Sequence, residues 1–228
     1  QCSRREFVSY LFSIGLMGGI SFFLKGCIIH SGIRKITGEV TINGEIVNHE
    51  NLKELDQFKV KNDSTVITGS NGSIIFTIGR DAFLLRKNSR LKLKPSKNSK
   101  QLEIEGFYLH SGAILSVFSK KRLTLRTITA VIGIKGTGVY IEADAEKTYV
   151  CTCYGTSHLQ VNGAPEVSQT VTTRYHDQPR LIYSGEFKRI DPAPVLNHSD
   201  HELTLLENLV GRLPPFKKRG NESSGNSY

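Results

Sequence analysis

Residues 122–143 read RLTLRTITAVIGIKGTGVYIEA, and this stretch decides the fold. It is dense in Thr, Val and Ile, whose branched side chains suit a pleated strand better than a helix. It predicts three consecutive strands, Arg122–Thr127, Thr129–Ile134 and Gly136–Ala143. Gly133 and Gly136 fall inside this apolar run, where glycine permits a bulge or a close backbone approach between sheets.

The same signature extends in both directions. Upstream, Gly38–Ile42 and Glu45–Val47 flank Asn43-Gly44, a strong hairpin-turn pair, and residues 48–60 read as a polar connection. Thr65–Thr68, Ser73–Ile78 and Ala82–Arg86 are strands separated by turns at Gly69–Gly72 and Gly79–Asp81. Leu91–Lys94 alternates strictly, leucines on one face and lysines on the other. Gln101–Leu109 and Ala113–Ser119 follow, and downstream come Lys147–Cys153, Ser157–Val161 and Val167–Thr173. No helices alternate with these strands. The predicted fold is therefore mainly β, an antiparallel sandwich, roll or partly closed barrel of many short strands.

One short helix is expected near the C-terminus. Ser199 and Glu202 form a capping-box pattern, Leu203, Leu206, Leu209 and Val210 recur at helical spacing, and Gly211 and Pro214-Pro215 end it. Residues 213–228 read as a polar, basic tail with too few apolar groups to order itself.

The chain has 228 residues, 38% of them hydrophobic, enough for a core and too few for a multi-span membrane protein. Its net charge of +9 points to anionic partners. Part of the excess is local. Residues 86–100 hold seven basic side chains and no acidic one, making Arg86, Lys87, Arg90, Lys92 and Lys94 a candidate anion-binding strip for lipid or polysaccharide. The alternative is a solvated strand edge guarded by lysines. Aromatic residues are not interleaved there, which argues against nucleic acid.

The N-terminus carries an address. Arg4-Arg5 precedes an apolar run from Tyr10 to Leu24, preceded by Glu6-Phe7-Val8, a pattern similar to a twin-arginine export signal. The run is short for a span, so a cleaved signal, a retained hydrophobic helix as anchor, and lipidation at Cys27 stay open. The expected location is the periplasm, free or tethered to the inner membrane.

With the strands and motifs in place, residues 36–162 resemble the FecR domain. The resemblance rests on Gly38-Glu39-Val40, on Val66–Gly69 with Asn71-Gly72-Ser73, on Asn88–Leu91, and above all on Leu125–Gly138, a threonine-rich strand followed by Gly-x-x-Gly-Thr. It implies a division into a signal or anchor (1–35), a FecR-type β-domain (36–165), a C-terminal extension (166–212) and the tail (213–228). The family is best known for inner-membrane regulators with a cytoplasmic sigma-factor-controlling domain. Only a few residues precede the apolar run here, so the resemblance implies a stand-alone extracytoplasmic domain.

Chemistry concentrates at one place. On a strand, Cys151 and Cys153 point to the same face. His158, His176, His198 and His201 follow. Two thiolates with one or two imidazoles make a tetrahedral zinc or iron site, with Cys151, Cys153, His176 and His198 as the candidate ligands and Asp177 or Asp200 orienting an imidazole. A redox disulfide and a pair of structural thiols are the alternatives. No nucleophile elbow, phosphate loop or His-Glu-x-x-His motif is present, so no enzyme and no small-molecule substrate is expected. The expected role is a binding or sensing module whose partner is another envelope protein.

Overall fold

The computed structural model describes residues 31–47, 60–97 and 103–217. The export signal, Cys27, most of the 48–60 connection and the end of the tail lie outside these residues. Among the described residues, no helix is long and apolar enough to cross a membrane.

The architecture is mainly β. In chain order the strands are β1 (Gly32–Thr37), β2 (Val40–Ile42), β3 (Glu45–Val47), β4 (Thr65–Thr68), β5 (Ser73–Ile78), β6 (Asp81–Leu85) and β7 (Arg90–Pro95). Then come β8 (Ile104–Val117), β9 (Arg122–Arg126), β10 (Ala130–Ala143), β11 (Lys147–Val161), β12 (Ala164–Thr173), β13 (Arg180–Tyr183) and β14 (Arg189–Pro192), and one helix, α1 (Asp200–Leu209). The fourteen described strands belong to one hydrogen-bonded sheet.

Two expectations need correction. The strands are not all short, since β8, β10 and β11 run for 14, 14 and 15 residues. Each absorbs two predicted strands because a glycine at positive φ (Gly112, Gly136 or Gly155) turns the backbone without ending the ladder. At these glycines the strands exchange partners. Before Gly136, β10 pairs with β9, and beyond it with β8. Nor is the sheet purely antiparallel: β8 and β9 run parallel, with Gly106 opposite Thr124 and Tyr108 opposite Arg126. Strands β1, β13 and β14 went unanticipated, being short or masked by Gly and Lys.

Of the two motif glycines, Gly136 sits at a register shift in β10, as a bulge requires. Gly133 has room for a side chain, its nearest neighbours being 3.8 Å from an added Cβ. The close approach belongs instead to Gly138, where a Cβ would lie 2.5 Å from the Tyr154 ring. The motif threonines build a fold corner: the buried Thr148 hydroxyl bonds those of Thr127 and Thr129 at 2.7 and 2.6 Å.

The bent strands bury side chains on both faces. The larger core gathers Ile36, Phe76, Phe83, Leu91, Leu109, Leu125, Ile132, Ile141 and Val150 among others. A second core lies on the opposite face of β6, β8, β10 and β11, where Leu84, Leu115, Tyr140, Tyr149, Cys151, Cys153 and Tyr154 meet Leu203, Leu206 and Val210 under α1. The capping box forms as read, Ser199 Oγ accepting from Glu202 N while the Glu202 carboxylate accepts from Ser199 N. Arg86 ties Glu202 to the end of β6 at 2.9 Å.

Candidate metal centre

The period of two on β11 sends Tyr149, Cys151 and Cys153 into the second core, while Val150 enters the first. His176 follows β12 in a turn at φ 48, and its N–H donates to Cys153 O at 3.1 Å, which sets it beside the cysteines. His198 directly precedes the N-cap of α1, so helix docking brings its ring over the same spot.

The result is compact. One donor atom from each of Cys151, Cys153, His176 and His198 lies within 4.8 Å of all the others, and all four residues are buried. Cys151 Sγ is 3.5 Å from His176 Nδ1, and His198 Nε2 is 2.9 Å from the same nitrogen. A tetrahedral zinc site with ordinary bond lengths has S···N edges of about 3.6 Å and N···N edges of about 3.3 Å. These two edges are therefore within a few tenths of an ångström of the values an ion needs.

The outer nitrogens are already committed. His198 Nδ1 donates to Leu196 O at 2.6 Å, and His176 Nε2 donates to Asp200 Oδ1 at 3.2 Å. A carbonyl and a carboxylate only accept, so each neutral ring turns its lone pair inward. Two lone pairs at 2.9 Å require a positive charge between them, a proton or a metal ion. Tyr175 in turn donates to Asp200 Oδ2 at 2.7 Å, and the Tyr140 ring stacks on His198 at 4.7 Å. This outer layer holds both imidazoles in the orientation a ligand needs.

The electrostatics agree. A hydrogen bond from the Cys153 thiol lowers the Cys151 pKa; burial opposes it, and both imidazoles add to the lowering. Burial, then the neighbouring Cys151 thiolate, pushes the Cys153 thiol up. For His176, burial favours the neutral ring, but Cys151 and Asp200 outweigh it and raise the pKa.

All four sequence candidates thus converge, and Asp200 is the orienting carboxylate. Asp177 is exposed and bonds Thr173 instead. His158 lies outside the site, against Thr170 on the β11–β12 surface, and His201 is exposed on α1. Tyr140, Tyr175 and the Leu196 carbonyl were not anticipated; no local pattern marks them, because only the packing of the C-terminal segment brings them in.

The basic strip divides. Arg86 is drawn under α1 to Glu202 and Asn197 O and lies over the Tyr140 ring, and Lys87 opens the turn to β7. Arg90, Lys92 and Lys94 remain together on the outer face of β7.

No family model and no curated protein matches the sequence. Two crystal structures of a "putative anti-sigma factor" from Parabacteroides distasonis are similar in part. One aligns at TM-score 0.45 and 12% identity over 57% of this chain and 58% of that one. The other aligns at 0.43 and 12% over 56% and 57%. The alignment thus spans less than two thirds of those proteins.

Proposed function

We propose that this protein is a non-catalytic, extracytoplasmic binding or sensing module of the FecR type whose C-terminal segment is fastened to its sheet by one zinc ion. Cys151, Cys153, His176 and His198 are the ligands. The observation that carries the reading is the meeting of these four buried donors within 4.8 Å, with both imidazoles pre-oriented by outer partners. Four protein donors close the coordination sphere, the arrangement of a structural rather than a hydrolytic zinc. The donors stand too close together to embrace a two-iron cluster, in which thiolates and imidazoles bind different irons. Neighbours two apart on one strand have Cα atoms roughly 6.6 Å apart, at the wide limit for a disulfide, which disfavours the redox pair.

The ion would join β11 to a segment beginning after β12. Metal occupancy would therefore control whether residues 174–198 and α1 present one surface. The twin-arginine-like signal and the motif of residues 125–138 support the export and FecR parts of the reading, and another envelope protein is the partner they suggest.

The test is metal analysis of natively purified protein, with the Cys151→Ser/Cys153→Ser double variant beside it and circular dichroism to check folding. One zinc per chain, lost in the variant, is expected. Cobalt(II) reconstitution of stripped wild-type protein provides a second readout, thiolate-to-cobalt charge transfer with tetrahedral d–d bands. Metal-free native protein that also gives no such spectrum overturns the reading.

A further inference from the structure

A second site lies away from the metal centre, on the outer face of β7, β8 and β9. Strand β8 runs between the other two. Its register sets Lys92, Tyr108 and Arg126 in one row across the sheet and Lys94, Gly106 and Thr124 in the next. Alternation turns Leu91, Leu93, Leu123 and Leu125 into the core and leaves Lys92, Lys94, Arg122 and Arg126 outside. These side chains flank a trough of about 630 Å³.

Part of its floor is bare where β8 and β9 pair in parallel. A Cβ on Gly106 would lie 1.8 Å from Thr124 O, so no side chain stands between Lys94 and Thr124, while Tyr108 lies between Lys92 and Arg126. With strands about 4.8 Å apart, the walls on β7 and β9 are roughly 10 Å apart, the width of one extended polymer chain. Four cations line the trough against one carboxylate, Glu105, and that is held by Lys94 at 2.6 Å. Among the described residues no carboxylate pairs with Arg122 or Arg126.

We propose that this trough binds a strand of acidic polysaccharide, a polymer with repeating carboxylates. Arg122 and Arg126 present planar forks that match carboxylates two bonds at a time, and Lys92 and Lys94 face them as point charges. Tyr108 lines the trough between Lys92 and Arg126, within reach of a sugar ring. Nucleic acid fits less well, because a single-strand channel needs successive aromatic platforms and this trough offers only the half-buried Tyr108, already against His110 at 4.2 Å, beside the buried Phe107. The site does not depend on the metal centre.

Binding to immobilised polygalacturonate by surface plasmon resonance tests this, with neutral dextran, a dT oligonucleotide and anionic lipid vesicles as comparisons. Expected are binding to polygalacturonate above all three, weakening as salt is raised, and a roughly tenfold loss for each of Arg122→Gln and Arg126→Gln. Both arginines face outward, so the variants should melt like the wild type. Absent binding at low salt, unchanged binding in the folded double variant, or stronger binding to the oligonucleotide or the vesicles overturns the proposal.

Discussion

Asp200→Asn removes one charge from around the proposed metal centre while keeping the side-chain shape. Asp200 Oδ1 is 3.2 Å from His176 Nε2, and Oδ2 accepts from Tyr175. The amide retains one acceptor oxygen, so the ring keeps its place. What is lost is the carboxylate that makes Nδ1 a stronger donor to the ion. Losing such an outer partner costs roughly 10- to 100-fold in metal affinity, or about 1.4–2.7 kcal/mol. The change also takes an anion from the first turn of α1, worth about 0.3–1 kcal/mol of fold stability, while Glu202 remains there. Two assays separate these effects. Competition for zinc with a chromophoric chelator reads affinity, and urea unfolding of metal-free protein reads stability. Affinity should fall about tenfold or more, and metal-free stability by less than about 1 kcal/mol. Asp177→Asn is the control, an exposed carboxylate beside His176 in sequence that bonds Thr173. Zinc affinity within a factor of about two of wild type in Asp200→Asn, or equal losses in both variants, refutes the orienting role.

Three further outcomes follow from the same geometry. Zinc at about 1,000 times its Kd should stabilise the stripped protein by roughly 4 kcal/mol, raising the calorimetric melting temperature by about 8–16 °C, with no rise in Cys151→Ser/Cys153→Ser. Gly138→Ala should cost about 1–3 kcal/mol in urea unfolding, because its Cβ meets the Tyr154 ring and Glu207 accepts from the Tyr154 hydroxyl. Gly133→Ala should stay within about 0.5 kcal/mol. Thr148→Val should lower stability by about 1–3 kcal/mol by stranding the buried Thr129 hydroxyl and leaving that of Thr127 with Ala130 alone, and a neutral result would show that the threonine corner is dispensable.

Much of the fold was legible because its signals are local. Branched residues at period two, turn pairs such as Asn43-Gly44, and the Ser199/Glu202 cap act over a few residues, and each appears in the structure. The long bent strands were not legible, since a glycine that turns a strand and one that ends it look alike without the partner strand. Gly112, Gly136 and Gly155 differ from turn glycines only in what pairs on either side of them. The parallel β8–β9 pairing was hidden for the same reason, and with it the placing of Arg122 and Arg126 beside Lys92 and Lys94.

The candidate site divides along the same line. Strand geometry alone determines that Cys151 and Cys153 share a face, and residue chemistry alone names imidazoles as their fitting partners. That His176 and His198 reach them, 25 and 22 residues apart in successive contacts, depends on the docking of the C-terminal segment. So does the choice of Asp200 over Asp177, which no spacing rule makes. Local sequence sets which way a side chain points from its own element, whereas its distant neighbours are set by how the apolar faces of the sheet and helix bury one another.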